Sequence, residues 1–370
     1  MSKQSLFNLY SNNLHFLKEH GYLKNSQLNF ERTFICPMCL RQFSESELDS
    51  KSPNMLTIEH APPESLGGSG GTMTCKECNS VAGIEIDAHL VGRLRELDSR
   101  RFLPNTETRA RVTSGDITIQ AKITVNKDGV MTMTHDAKQN HPVKLANFID
   151  RVGPDSNPII HIEFTNNNKI IFERWQIGLL KTAYLLLFRK FGYAFILDKV
   201  YDPIRKQIQN PDIKIYPDKF WIGQDALLKE YEGVNQCTTS SSEGIYCIFS
   251  LQTAVSSIRY GIHLPIPMLP ASTMIENIHL MLKKGSIEFS FDKDNPNDDY
   301  LFNIKNINSI WDWFYRVRLS KIGANDRMNI PTAINYLTNP LTGWEYSYYN
   351  YPPQEVKIWP NRLRLTKRSI

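Results

Sequence analysis

The sequence contains no uninterrupted apolar run of the roughly 18 residues that a membrane-crossing helix needs. Its most apolar stretch, Trp175 to Phe188, is interrupted by Lys181 and followed at once by Arg189 and Lys190. The first residues, MSKQSLFNLYSNN, hold no apolar signal core. A cytoplasmic location is therefore expected, and a membrane partner is not. There is no Walker A loop and no dinucleotide fingerprint, and no internal repeat. Charge of one sign is scarce too: a net charge of +5 over 370 residues suits a polyanionic partner without requiring one. Cysteine is sparse, at six residues, and in a reducing compartment these are not expected to form a disulfide framework.

What is present is an ordinary globular composition, long enough for roughly two or three domains at ~150 residues each. Leu6, Phe7, Leu9, Leu14, Phe16 and Leu17 predict one or two short amphipathic helices over residues 5–20. Residues 62–74 (PPESLGGSGGTMT) read as a loop, and the segment from Asn79 to about Arg101 as a helix. Past Pro104 the pattern changes. Residues 108–135 alternate polar and apolar, with Asp128-Gly129 as a hairpin turn signal. Residues 173–191 predict a buried helix capped by Gly192, and Tyr193 to Leu197 a strand. Further strands are expected at 244–250, 257–266 and 286–291, and a packed helix around Trp311, Trp313, Phe314 and Tyr315. The tail is aromatic (Trp344 to Tyr351) and then basic (Lys357, Arg362, Arg364, Lys367, Arg368). The expected class is α+β, with a first domain over residues 1–104 and a larger mixed domain over 105–370.

Four of the cysteines form two Cys-x-x-Cys pairs, Cys36/Cys39 and Cys75/Cys78. Four thiolates at that spacing suit tetrahedral Zn²⁺ and leave it no open position, so one structural zinc per chain is expected. The 35 residues between the pairs exceed the separation in common zinc fingers, so something is inserted between the knuckles. The other two, Cys237 and Cys247, lie in a strand–turn–strand stretch and read as buried cysteines.

The inserted segment runs Ile58-Glu59-His60, then Gly67-Gly68, then Cys75-x-x-Cys78-Asn79. This order resembles the zinc-bearing, four-cysteine members of the HNH (ββα-metal) endonuclease superfamily. The resemblance covers about residues 34 to 90, and no single piece of it is specific by itself. It implies an N-terminal ββα-metal module that hydrolyses phosphodiester bonds of DNA, with RNA left open. It implies His60 as general base, and Glu59 and Asn79 as oxygen ligands of a catalytic Mg²⁺ or Mn²⁺. The residue types suit that chemistry. Imidazole deprotonates water near neutral pH, and few protein oxygens leave a hard cation open to water and phosphate. The sequence departs from the family in having Glu59 where Asp is common. It also has no counterpart of the middle Asn that ties the loop, a role that falls to Thr72 or Thr74. Glu85, Asp87 and His89, further along the helix, are expected outside the site or at its edge.

Arg93, Arg95, Arg100 and Arg101 could contact phosphates, or form a solvated face paired with Glu96 and Asp98. Nothing in residues 105–370 matches a mechanical motif; recognition, regulation by an activating partner, or homo-oligomerisation are the roles left for it. An HNH module joined to a large second domain resembles nucleases of bacterial anti-phage defence or phage genome processing. The competing reading is a non-catalytic zinc module that binds nucleic acid or a protein partner.

Overall fold

The segment from 172 to 191 is apolar on nearly every face, and a helix of that kind has to be central. In the computed structural model of the chain it forms a helix over Phe172–Phe191, here α5, in which Trp175, every residue from Ile177 to Leu185, and Leu187, Phe188 and Phe191 are buried. The structure describes residues 1–23, 27–135, 138–153, 156–165, 170–218, 220–223, 229–238, 243–267, 286–292, 298–321 and 362–366.

Some of the elements preceding α5 pack onto it. Helix α1 (Lys3–Glu19) starts at Ser2, whose side chain accepts from the Ser5 N–H, and buries Leu6, Phe7, Tyr10, Leu14 and Leu17. These recur at the three- and four-residue spacing of one helix face. Two short strands, β1 (Phe34–Ile35) and β2 (Gln42–Phe43), pair antiparallel around the first cysteine pair. Strands β3 (Leu56–Ala61) and β4 (Ser69–Cys75) form an antiparallel hairpin, with a register irregularity between Glu59 and His60. Helix α2 (Lys76–Ala82) begins directly after Cys75, passes through a π-helical turn at Gly83–Asp87, and continues as α3 (Ala88–Arg100). Helices α3 and α5 approach closely at Gly178, where a Cβ would lie 3.1 Å from Leu90 Cβ.

The glycine-rich stretch 62–74 is not a loop throughout, because its second half is strand β4. Glycine permits this pairing. A Cβ at Gly70 would lie 2.6 Å from Ile58 Cγ2 and 3.3 Å from His60 Nε2, so a larger residue would push the two strands apart. The second correction is at Tyr193–Ile196, a short helix (α6) and not a strand. Gly192, at φ 56°, ends α5 and turns the chain at once, and Phe195 then packs edge-on against Trp311 and Phe314. A five-residue apolar run does not by itself distinguish the two conformations.

The rest of the chain supplies two sheets. Strands β5 (Thr106–Ser114), β6 (Ile117–Val125), β7 (Met131–His135) and β8 (Ile160–Phe164) lie in the order β7-β6-β5-β8. The Asp128-Gly129 turn joins β6 to β7, and α4 (Pro142–Arg151) packs on β6. After α5 and α6 come α7 (Asp202–Gln209) and strands β9 (Trp221–Gly223), β10 (Gly233–Cys237), β11 (Gly244–Gln252), β12 (Ser257–Leu264) and β13 (Ser286–Asp292). Helix α8 (Ile304–Lys321) and strand β14 (Arg362–Thr366) complete the described elements. The larger sheet has the order β14-β13-β10-β11-β12-β9, and α5 packs on its β10, β11 and β12. Cys237 and Cys247 are buried in it. The aromatic segment at 344–351 and the basic residues Lys357, Lys367 and Arg368 lie outside the described residues.

The chain is thus α+β, with its hydrophobic side chains in two main clusters. One runs from Leu6 through the β3–β4 hairpin, α3 and α5 into the six-stranded sheet and α8; the other fills the four-stranded sheet under Leu145 and Phe148. Position 105 is where the four-stranded sheet begins, and the cluster holding the N-terminal elements continues beyond it. Among the described residues no helix is long and apolar enough to cross a membrane.

Later elements hold the first cysteine knuckle through its backbone. The Tyr193 hydroxyl accepts from the Ile35 N–H at 2.8 Å and donates to the Ile35 carbonyl at 2.7 Å. The Tyr184 hydroxyl donates to the Pro37 carbonyl, and Gln209 Nε2 to the Met38 carbonyl. Tyr193→Phe removes one hydroxyl and strands two buried backbone groups. It should lower stability by about 1–3 kcal/mol; an unchanged midpoint in chemical denaturation would contradict this account of how the knuckle is held.

Candidate functional site

The knuckle turn is closed by the Cys36 N–H bonding to the Arg41 carbonyl and the Leu40 N–H to the Cys36 carbonyl, with Leu40 at φ 59°. This brings Cys36 and Cys39 to the start of α2, where Cys75 and Cys78 wait. The four sulfurs lie within 4.8 Å of one another. A tetrahedral ion with metal–sulfur bonds of about 2.3 Å puts its sulfurs about 3.8 Å apart, and Cys39 Sγ and Cys75 Sγ are 3.8 Å apart. Four thiolates around a divalent ion carry a net charge of −2, and Arg41 offsets it. Its Nε donates to Cys39 Sγ at 3.4 Å and its Nη2 to Cys75 Sγ at 3.3 Å, while Nη2 also meets Glu77 at 2.5 Å. The Cys75 N–H points at Cys36 Sγ. The cluster can hold a metal ion, and supports of this kind fix the orientation of such ligands.

The cysteine cluster fixes the start of α2, and one turn in lies Asn79. Its amide nitrogen donates to Thr57 Oγ1 at 2.9 Å and to the Ile58 carbonyl at 3.3 Å. Asn79 is thereby tied to strand β3, two residues before Glu59. Among the described residues its Oδ1 has no hydrogen-bond partner. His60 is half-buried at the end of the same strand, its ring over Gly70, and its nitrogens have no partner among the described residues.

Glu59 is placed differently. It is 3 % exposed, and both its oxygens are engaged. Thr74 Oγ1 donates to Oε2 at 3.2 Å, and Lys181 Nζ, from the middle of α5, donates to Oε1 at 2.8 Å. Thr57 Oγ1 in turn donates to the Thr74 carbonyl. Asn79, Thr57, Thr74, Glu59 and Lys181 thus form one connected polar chain. Of the two threonines expected to tie the loop, Thr74 bonds the Glu59 side chain and, among the described residues, Thr72 Oγ1 has no hydrogen-bond partner, so neither hydroxyl ties the loop backbone.

Lys181 is 1 % exposed. Its second partner is Asp87, at the end of the π-turn, at 2.6 Å. Burial opposes charge on the Lys181 amine, but the Asp87 and Glu59 carboxylates outweigh it and hold the amine above its ordinary range. Burial lifts the Glu59 carboxyl above the usual carboxylate range against the pull of Lys181. Among the described residues Asp87 Oδ1 is buried with no hydrogen-bond partner. The π-turn is what places Asp87 here: an α-helix that widens for one turn rotates the residues that follow it.

Lys181 is the residue that sequence reasoning missed, whereas Asp87, expected outside the site or at its edge, meets Glu59 only through Lys181. A lysine inside an otherwise apolar helix was the available signal for Lys181, and nothing in the sequence marked the π-turn. Glu85 pairs with Arg174, which also meets Asp212 at 2.7 Å. His89 Nδ1 accepts from the Ile171 N–H at 3.2 Å; burial and the nearby Arg174 hold its ring below the ordinary imidazole range. Of the four arginines on α3 and just beyond it, Arg93 and Arg100 both bind Glu96, at 2.8 and 2.6 Å. Arg95 and Arg101 are exposed and form no ion pair among the described residues. Arg189, exposed near the end of α5, lies along Gly71 and reaches Ser69 Oγ at 3.1 Å.

The four-sulfur geometry predicts one tightly held thiophilic metal ion per chain. Cys36→Ser or Cys75→Ser should lose it and unfold the N-terminal elements, because a structural metal can contribute ~10 kcal/mol or more to a small module. Elemental analysis of the purified protein is the check; a content far below one equivalent would refute the assignment.

No protein-family model matches the chain, and comparisons with curated proteins and with solved structures give no match.

Proposed function

We propose that this protein is an endonuclease of the HNH type, hydrolysing phosphodiester bonds of DNA with His60 as general base and with a structural zinc in the four-cysteine cluster. The observation that carries the reading is that the four-cysteine cluster sits at the start of the helix that carries Asn79, and that Asn79 is bonded to β3, the strand that also carries His60. The cysteine cluster pins the helix that bears Asn79, Asn79 is hydrogen-bonded to the strand that carries His60, and among the described residues both side chains keep an acceptor without a partner. Zinc fits the donor set, since an all-thiolate tetrahedral site is typical of its structural role.

In this reading His60 takes a proton from water as the water oxygen bonds to phosphorus; the bond from phosphorus to one sugar oxygen breaks, and that oxygen leaves as a hydroxyl by taking a proton from solvent. The ring nitrogen is held over Gly70, where no side chain intrudes, and the proton passes from the imidazolium to solvent. General bases of this kind need their acceptor within hydrogen-bond reach of the water, and an imidazole with no protein partner offers that. Arg95, Arg101 and Arg189 are exposed guanidinium groups that could position the phosphate backbone.

A divalent cation such as Mg²⁺ or Mn²⁺ would supply a charge sink for the phosphate. Asn79 Oδ1 fits as an oxygen ligand for it. Glu59 does not fit in its present arrangement, because both oxygens are taken and an ammonium lies against one of them. That same ion pair favours the second reading, in which the zinc module binds nucleic acid or a protein partner without cleaving.

Incubation with supercoiled plasmid, with and without Mg²⁺ or Mn²⁺, separates the two. The nuclease reading expects metal-dependent cleavage, stopped by chelation, that falls by ~10²–10⁴-fold in His60→Ala, the range for losing a positioned acid–base group. DNA affinity and zinc content should be unchanged in that variant. A folded His60→Ala protein that cleaves at the wild-type rate would remove His60 from the reaction. A wild type that binds DNA and never cleaves it would leave the binding module.

A further inference from the structure

The irregularity in the β3–β4 hairpin sets a guanidinium beside the imidazole. His60 pairs with Gly70 and Glu59 with Thr72, which leaves Gly71 as the extra residue of β4. The Tyr10 hydroxyl donates to the Gly71 carbonyl at 2.8 Å. The place that a Cβ at Gly71 would take is filled by Arg189, with Nε 2.6 Å and Cζ 2.8 Å away. Gly71 is not among the glycines at positive φ, so what its bare Cα provides is room for that guanidinium. At Gly70 the corresponding Cβ position lies 3.3 Å from His60 Nε2. Consecutive Cα atoms are about 3.8 Å apart, which keeps the two groups within about 13 Å of each other. The bulge also breaks the strict alternation that would send successive positions to opposite faces.

Arg189 is not neutralised where it lies. Its Nη1 donates to Ser69 Oγ at 3.1 Å, and among the described residues it meets no carboxylate. Arg93, Arg100, Arg174 and Arg205, by contrast, each have an acidic partner. An exposed guanidinium seated against backbone keeps its fork of N–H donors for an outside anion, and phosphate oxygens match that fork. We propose that Arg189 binds a phosphate of the nucleic-acid strand on which His60 acts, with Gly71 as its seat, so that α5 supplies the cleavage site with a phosphate contact. The inference rests on the nuclease reading for the identity of that strand. One strand carries a charge per ~3.4 Å of helix axis, so the two side chains are separated by a few neighbouring phosphates at most. Arg189 thereby differs from Arg95 and Arg101, which lie on or just beyond α3 and have no such seat beside His60.

The test is binding of a short fluorescent duplex DNA to the full chain with its cysteine cluster filled, measured across a salt series without Mg²⁺ or Mn²⁺. Arg189→Ala should weaken binding and flatten the slope of log affinity against log salt by about 0.9, the loss of one phosphate contact. Arg189→Lys should keep the wild-type slope, because the charge remains. Gly71→Ala should unseat the guanidinium and copy the Arg189→Ala loss, and should cost nothing more in the Arg189→Ala background. With Mg²⁺ present, Arg189→Ala should raise the KM for cleavage severalfold. An arginine with a merely structural role would lower the melting temperature and leave the salt slope unchanged, which would overturn the proposal. Full affinity in Gly71→Ala would overturn it too, since the seat would then have no function. The two readings fail separately. If Arg189→Ala flattens the slope but the wild type never cleaves plasmid, the phosphate contact stands and the nuclease assignment falls. If the wild type cleaves in a His60-dependent way and the slope does not respond to Arg189→Ala, the phosphate contact alone falls.

Discussion

The buried middle of a helix cannot carry an unpaired charge, and α5 carries Lys181 there. Removing an ammonium from water costs several kcal/mol even after relaxation, so the fold must bring anions to it. Glu59 and Asp87 do so from two separate elements. Their positions fix the β3–β4 hairpin and the π-turn against one turn of α5. The exposed ion pairs elsewhere, such as Arg32 with Glu45 or Lys122 with Glu107, contribute at most about 1 kcal/mol each and constrain nothing comparable. The neighbouring contacts agree with this placement. Gly178, three residues before Lys181, lets α3 close on α5, and Tyr184, three residues after it, reaches the Pro37 carbonyl in the first knuckle.

The same helix therefore supports both the four-cysteine cluster and the strand that carries Glu59 and His60. Its Tyr184, together with Tyr193 and Gln209 just beyond it, holds the backbone around Cys36, and Arg41 compensates the thiolates from the knuckle itself. Cys75 and Cys78 then open α2, so whatever ion the cluster holds also fixes the helix that carries Asn79. Orientation is passed from sulfur to helix to amide over a few bonds, with no flexible loop between. This rigidity is what a positioned oxygen ligand needs. The ring of His60, by contrast, is placed sterically, by the absence of a side chain at Gly70.

Much of this was legible in the sequence where the signal is local. The two Cys-x-x-Cys pairs required a cluster because thiolate spacing is a short-range property, and the structure brings all four sulfurs together. Helix α5 was legible from its apolar length and Gly192 from its role as a stop. Residues 69–75 were not, because glycine-rich composition is shared by loops and by strands pressed close to a neighbour; only the partner strand distinguishes them. Tyr193–Ile196 failed for a similar reason, being too short to show a period. Glu59 stood out in the sequence by its place beside His60, but its partner lies 122 positions along the chain. Pairing at that separation leaves no periodic trace. Asp87 depended on a π-turn, and the sequence from Gly83 to Asp87 contains no residue that demands one.

The arginines illustrate why a run of charge says little by itself. Arg93 and Arg100 lie one and a half to two turns apart on the same helix and converge on Glu96, which is itself buried. A buried carboxylate with two guanidinium partners is a structural device, and it removes half of the apparent basic patch. What remains exposed, Arg95 and Arg101 on one element and Arg189 on another, is a sparser set than the sequence suggests. It is also distributed between the N-terminal helix and α5. If nucleic acid lies along β4, its phosphates meet groups from both halves of the chain at once. Binding would then report the same α5–hairpin relationship that holds Glu59. Arg189 and Lys181 lie on the same helix and both reach the β3–β4 hairpin, so a shift of α5 against the hairpin would move both contacts at once.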